Sequence, residues 1–291
     1  MTHRDLFDPI ADCLVAEEEF DRAFSCLEAV PRAWIKKNIA QLHTIYSSSS
    51  QGWYLQERTW PQGFWTREEV SPVAQVAVSF PYTFNSPAQL VAAVVPPLSL
   101  GVQRCCALRV GAGGEPWPHE VLGALELSGV EEVYDTSAEK FREWMESVGA
   151  DPQLGLVFLE DFSWLGNLEC GNFVRLPGVE TLGVWFQHDL QWDLVAIRSA
   201  HPRARIICGP SEVVEESADC ESLHESWSDI MSQAPNGLYI PESMFDLATP
   251  HCSRILGPGQ EGCWIWPELK IDTFQRRISL LAGDQQSSAS F

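Results

Sequence analysis

The side chains here that could do nucleophilic, acid–base or metal chemistry are above all seven histidines and nine cysteines. Their spacing decides what they are fit for. His251-Cys252 with Cys263 is the nearest approach to a ligand cluster, but the intervals match no zinc module, so a surface histidine and two packed thiols are expected. The cysteines are odd in number, include the adjacent pair Cys105 and Cys106, and contain no Cys-x-x-Cys. That pattern predicts free thiols behaving as small hydrophobes in a reducing compartment, not a disulfide framework. His188-Asp189 and His224-Glu225 would be acid–base dyads only if sequence neighbours faced the same way, and in helices and strands they point apart. Ser211, in Gly209-Pro210-Ser211-Glu212, lacks the strand-elbow glycine pattern of a hydrolase nucleophile and reads as a turn capping a following helix. Gly111-Ala112-Gly113-Gly114 follows a strand as a phosphate loop would, yet Glu115 beside it opposes an anion, and a plain turn is expected.

The elements that must position these residues read as alternating strands and helices. Ile10, Leu14, Phe20, Phe24 and Leu27 recur at near-helical spacing over 8–30, and Pro31 opens a second helix through Ile35, Ile39 and Leu42. Ser47 to Ser50 breaks the pattern. Trp53, Trp60 and Trp65 then lie in a Pro/Gly-punctuated stretch that predicts a packed irregular arm. Residues 73–78 read as a buried strand, Ser86-Pro87 as the start of a helix, and Pro96-Pro97 as its kink or end. Strands follow at 105–110, 132–134 and 154–159, with helices near 118–129 and 137–148 between them. Beyond these come strands at 181–186, 204–208 and 237–240, a helix at 221–233 and a closing helix or strand at 272–281. Such alternation implies an α/β fold: a Rossmann-like, layered, mostly parallel sheet with flanking helices. The expected division is 1–69 (helices and Trp-rich arm), 70–283 (α/β core, with a subdivision near 160) and 284–291 (a frayed polar tail).

Charge and hydropathy exclude some partners. With 19 Lys and Arg against 40 Asp and Glu, the net charge is -21, which repels phosphate backbones and anionic lipid surfaces. Neither nucleic acid nor membrane is expected as a partner. No apolar stretch approaches a membrane span, and Met1 to Asp8 lacks a signal peptide's basic and apolar regions, so a cytoplasmic address is expected.

Several segments, in the right order, resemble the histidinol dehydrogenase family, within the aldehyde dehydrogenase-like superfamily. Pro81, Pro87, Gly101-Val102 and Leu127-Ser128-Gly129-Val130-Glu131-Glu132-Val133 carry the similarity in the first half. Cys170-Gly171-Asn172 is similar to that family's Gly-Pro-Gly-Asn segment, and Gly209-Pro210-Ser211-Glu212-Val213 reproduces its Gly-Pro-Ser-Glu-Val motif. Ser232-Gln233-Ala234-Pro235-Asn236-Gly237 resembles Ser-Gln-Ala-Glu-His-Gly, and Asp272-Thr273-Phe274-Gln275-Arg276-Arg277 resembles Asp-Phe-Gln-Lys-Arg.

The resemblance implies an enzyme that oxidises an amino alcohol to an acid in two NAD-dependent steps. It implies a zinc held by Gln, His, Asp and His, and a Glu-His acid–base pair. Gln233 matches the glutamine, Asp246 stands for the aspartate, but the first histidine position is Asn236, an amide without an imidazole nitrogen. The second histidine and the Glu-His pair have no counterpart, so zinc is not expected and the family reaction is expected to be lost. NAD is left open: the family's paired glycines after Pro81 are replaced by Tyr82-Thr83, which would crowd a pyrophosphate. The positions carried over for a cofactor are Pro81, Tyr82, Gly171 and Asn172, and for another ligand Gly209, Ser211 and Glu212. Three readings follow. The chain is a scaffold that binds a small molecule, nucleotide or partner; an NAD-dependent oxidoreductase of altered specificity; or an assembly protein, homodimeric through its Trp-rich arm.

Overall fold

A computed structural model describes residues 5–48, 53–111, 114–149, 151–160, 162, 172–212 and 220–283. A 3-10 turn, Asp8–Cys13, leads into α1 (Glu17–Cys26) and α2 (Ala29–Ser48). The single helix expected over 8–30 is broken because Leu14 bridges Tyr134 and the Val15 N–H donates to Val133 O (2.8 Å), which pulls this stretch out straight against a sheet edge. The Trp-rich stretch is not irregular. It is a hairpin of β1 (Tyr54–Trp60) and β2 (Phe64–Pro72), turned at Gly63, whose φ of +80° suits glycine.

The first parallel sheet is built from β3 (Gln75–Pro81), β4 (Arg104–Val110), β5 (Glu132–Thr136), β6 (Leu154–Leu159) and β7 (Asn172–Leu176). Its crossovers include α3 (Pro87–Ser99), α4 (His119–Leu127) and α5 (Ala138–Val148). Ser86 caps α3 as expected, its Oγ accepting from the Gln89 N–H at 3.3 Å. Pro96 and Pro97 fall at the end of α3, as expected, in the last turn before Ser99. The strand order is β5-β4-β3-β6-β7, so the chain starts in the middle, works outward, then crosses to the other side.

A second parallel sheet repeats that order. It comprises β8 (Thr181–Trp185), β9 (Arg205–Gly209), β10 (Ser222–Leu223), β11 (Gly237–Tyr239) and β12 (Ile255–Leu256), arranged β10-β9-β8-β11-β12. Helices α6 (Leu194–Ala200), α7 (Trp227–Ser232) and α8 (Phe245–Ala248) make its connections. The helix expected from 221 starts late because Ser222 and Leu223 pair with β9, leaving Ser226 to cap α7 in a reciprocal box with Asp229. Last, β13 (Gln275–Gly283) settles the closing segment as a strand, antiparallel to β2 in a separate three-stranded sheet with β1. The α/β, Rossmann-like class therefore stands, but as two parallel sheets instead of one. Among the described residues no helix is long and apolar enough to cross a membrane.

The N-terminal segment is pinned by Arg104. Its guanidinium pairs with Asp5 and Glu132 and lies 4.8 Å from the Phe7 ring centroid. Burial pushes the Glu132 carboxyl up, but hydrogen bonds from Arg104 and Tyr134 win and hold it below the usual carboxylate range. Replacing Arg104 with Met removes these charge-assisted bonds together, for an expected loss of about 2 kcal/mol in urea denaturation. An unchanged midpoint would count against the pin.

Candidate functional site

In open α/β sheets ligands bind outside the carboxyl ends of the strands, where the order reverses. In the first sheet that point lies between β3 and β6. Pro81 closes β3, and Tyr82 donates its N–H to Val110 O (2.9 Å), leaving a ring that is 41% exposed. On the facing strand, β6 ends into Glu160, a non-glycine residue at φ +66° whose N–H donates to Leu176 O (3.0 Å). Such a conformation is uncommon and costs backbone strain. Arg203 reaches across, its Nη1 3.1 Å from Thr83 O and 3.4 Å from a Glu160 carboxylate oxygen. Burial raises the Glu160 carboxyl against the opposing pull of Arg203. The loops after β3, β6 and α6 thus meet at Thr83, Glu160 and Arg203.

Only half of the residues carried over for a cofactor fall there. Asn172 opens β7 level with Gly155 and Val76, at the amino end of the sheet. Pro81 stands five residues further along the strand, roughly 17 Å away. The structure therefore separates Pro81 and Tyr82 from Asn172, and Gly171 lies outside the described residues.

The Gly209 motif sits at the carboxyl end of β9. A Cβ on Gly209 would lie 2.9 Å from His224 O and 3.0 Å from Ile230 Cδ1, so the glycine is required by close packing. Ser211 donates its N–H to His224 O (3.0 Å) and is half-buried, while Glu212 is exposed. The helix expected after Ser211 falls on residues outside the described ones. Among the described residues six cysteines are free, but Cys208 and Cys220 are joined by a disulfide, which corrects the expectation that all are thiols.

The three positions matched to zinc ligands have other work. Gln233 is exposed, its Oε1 accepting from Arg205 Nη2 at 2.9 Å. Asn236 Oδ1 accepts from the backbone N–H groups of both Glu180 (2.8 Å) and Thr181 (2.9 Å), fastening the start of β8. Gln233 and Asn236 precede β11, whereas Asp246 follows it, exposed on α8, so the strand runs between them. These donors do not fit a zinc site. Nor do the other candidates converge: Cys252 packs with Ile230 and Leu238, Cys263 in a different cluster with Tyr239 and Trp264. Among the described residues no three His, Cys, Asp or Glu side chains are grouped to hold a metal.

Two features escaped the sequence reading. His201, 1% exposed, accepts at Nδ1 from Gln89 Nε2 (3.0 Å) and donates from Nε2 to Tyr239 Oη (3.2 Å). Burial pushes its pKa down to about 3, so the ring is neutral and closed to substrate. It ties α3 of the first sheet to α6 and β11 of the second. The other is a cavity of about 650 Å³ between α2 and the loop after β12, walled mainly by Leu42, Ile45, Phe245, Leu256, Cys263 and Trp264. Glu242 supplies a carboxylate there, and the Trp264 indole N–H has no hydrogen-bond partner among the described residues. Neither had a sequence signal, because both join residues far apart in the chain.

No protein-family model matches this sequence, and no curated protein matches it. Among solved structures, histidinol dehydrogenase from Elizabethkingia anophelis is similar with a TM-score of 0.59 at 11% identity, over 94% of this chain and 77% of that one. Aldehyde dehydrogenase 21 from Physcomitrella patens gives a TM-score of 0.47 at 11% identity, over 92% of this chain and 90% of that one. The NADP-dependent glyceraldehyde-3-phosphate dehydrogenase from Bacillus halodurans C-125 gives 0.47 at 8% identity, over 97% and 87%. What this chain shares with histidinol dehydrogenase is its fold.

Proposed function

We propose that this histidinol dehydrogenase-like chain has lost the zinc-dependent oxidation and keeps the scaffold to bind a small molecule. The observation that carries this reading is Asn236. Its side-chain oxygen is committed to two backbone N–H groups, so the position that would offer a metal an imidazole serves as a structural clasp. Without that ring or a Glu-His pair, the alcohol proton has no acceptor tuned near neutral pH, and such groups typically contribute ~10²- to 10⁴-fold. The cavity beside α2 is of ligand size and mostly apolar. We read residues 1–69 as helices and a Trp-rich arm packed on the 70–283 core, with the core's subdivision near 160.

The test is calorimetric titration with NAD, metal analysis of the same sample, and an assay with histidinol. The expected result is no stoichiometric zinc and no NAD reduction. Zinc together with histidinol-dependent NADH would sink the reading, while NAD binding alone would favour the altered oxidoreductase, with Tyr82 and Glu160 at the cofactor. As a separate prediction, Asn236→His should still bind no zinc and should lose about 2 kcal/mol of stability, roughly one for each backbone bond released. Zinc uptake by that variant would count against the clasp.

A second reading, an assembly role, is favoured by the antiparallel sheet. Leu55, Leu280 and Leu281 are 44%, 45% and 73% exposed, and β1 buries no side chain. Three strands that bury so little are marginal in isolation, and a second copy of the chain is the partner this reading names. Sedimentation across concentration checks it: a monomer at high concentration removes it.

A further inference from the structure

We propose that the Cys208–Cys220 disulfide is a thiol–disulfide exchange site, open to dithiol reductants, that latches β10 onto the edge of the second sheet. The inference rests on the geometry of that edge and is independent of the proposed function. Of the six described cysteines that stay thiols, four are buried and poor competitors, while Cys13 is partly open and Cys26 exposed. Burial pushes Cys105 up to about 12 and Cys263 to about 11, keeping both protonated near neutral pH.

The two bonded sulfurs are not equivalent. Cys208 is fully buried on β9, whereas Cys220, just before β10, keeps part of its surface open. Among the described residues, the open side for a reductant is that of Cys220. None of residues 220–225 is fully buried, and of these Cys220 alone, itself half of the disulfide, packs partly buried against the apolar core. Its backbone ties are Glu221 N–H to Ile206 O (2.9 Å), His224 N–H to Cys208 O (2.8 Å) and Ser211 N–H to His224 O (3.0 Å), around a pairing of two residues. The other anchors are an Arg198–Glu221 ion pair at 3.2 Å between partly exposed side chains and the covalent bond itself.

The exchange balances as follows. A thiolate of the dithiol attacks Cys220 Sγ, the S–S bond breaks, and its electron pair passes to Cys208 Sγ, which takes up a proton. The second thiol of the reductant then attacks the mixed disulfide, releasing Cys220 as a thiol while the reductant leaves as its own disulfide. Two electrons and two protons have moved to the protein. With the latch open, β10 frays, the edge of β9 is bared, and the Gly209-Pro210-Ser211 turn loses its tether through His224.

The experiment uses the full chain without denaturant, with and without millimolar dithiothreitol, followed by acid quench, alkylation and hydrogen-exchange mass spectrometry. The expected result is two additional alkylated thiols, at Cys208 and Cys220, with near-UV circular dichroism retained. Amides at 221–224 should exchange at least about tenfold faster. Cys220→Ser should show the same loss of protection without reductant. The proposal is overturned if both cysteines are already thiols in air-oxidised protein, if the bond yields only after denaturant is added, or if reduction leaves exchange at 221–224 unchanged.

Discussion

Acidification from pH 6.5 to pH 4.5 should remove about 2 kcal/mol of folding stability through His201 alone, a loss absent from a His201→Gln chain. In the unfolded chain this imidazole takes up a proton below its ordinary pKa of 6.5, whereas in the fold burial holds it down to about 3. Between those values the unfolded state binds the extra proton, so stability falls as pH falls, and the effect levels off above about pH 7.5. Carboxyls held low by partners, such as Asp5 and Glu132, also lose their contribution as pH falls. Glu126 and Glu160, held up chiefly by burial, act in the opposite direction. They are present in both chains and cancel in the comparison. The amide of the His201→Gln side chain can offer the same acceptor to Gln89 and donor to Tyr239, so the substitution lowers the level of the stability curve and removes the His201 share of its slope. Urea denaturation of both proteins from pH 4.5 to 7.5 checks this, and parallel curves would show that the ring is protonated in the fold.

Strands β3, β4 and β6 were legible because they are buried on both faces and read as nearly continuous apolar runs, as at Val76 to Phe80 and Leu154 to Leu159, whereas β7, partly exposed along its length, was not read as a strand. The second sheet was harder. The strand read at 237–240 is β11, but β10 and β12 are two residues long, too short to show a period, and β10 carries no buried side chain at all. The hairpin at the Trp-rich stretch was read as irregular because its side chains alternate against solvent on both sides, so no hydrophobic face marks it. At the site, motif matching placed Pro81 and Tyr82 at a strand's carboxyl end but joined them to Asn172, which pairs in register with the far end of the same sheet. Register is set by the sheet as a whole and not by any one segment. Glu160 was missed since nothing in a glutamate announces a left-handed backbone, and His201 since its partners stand over a hundred residues before it and 38 after it.

Gly262→Ala should destabilise the chain by about 3 kcal/mol, at the upper end of what overpacking usually costs. A Cβ there would lie 2.4 Å from Trp34 Cγ and 2.6 Å from both Trp34 Cβ and Cδ2. Those atoms are the root of the side chain, so turning the ring cannot relieve the overlap. The backbone of α2 must shift away from the loop after β12 instead. That shift would also break the contact of Lys37 with Gly259 O and open the cavity wall that α2 supplies through Leu42 and Ile45. Gly259→Ala is the internal control: its φ of +79° makes alanine strained, but no neighbour crowds the new methyl within 3.7 Å, so about 1 kcal/mol is expected. Removing the obstacle tests the cause. In a double-mutant cycle, Gly262→Ala introduced into a Trp34→Gly chain should cost at least about 2 kcal/mol less than in the wild type, because the crowding Cβ and ring are both gone. Additive losses would mean that Gly262 is needed for its own backbone freedom and not for the seat of α2.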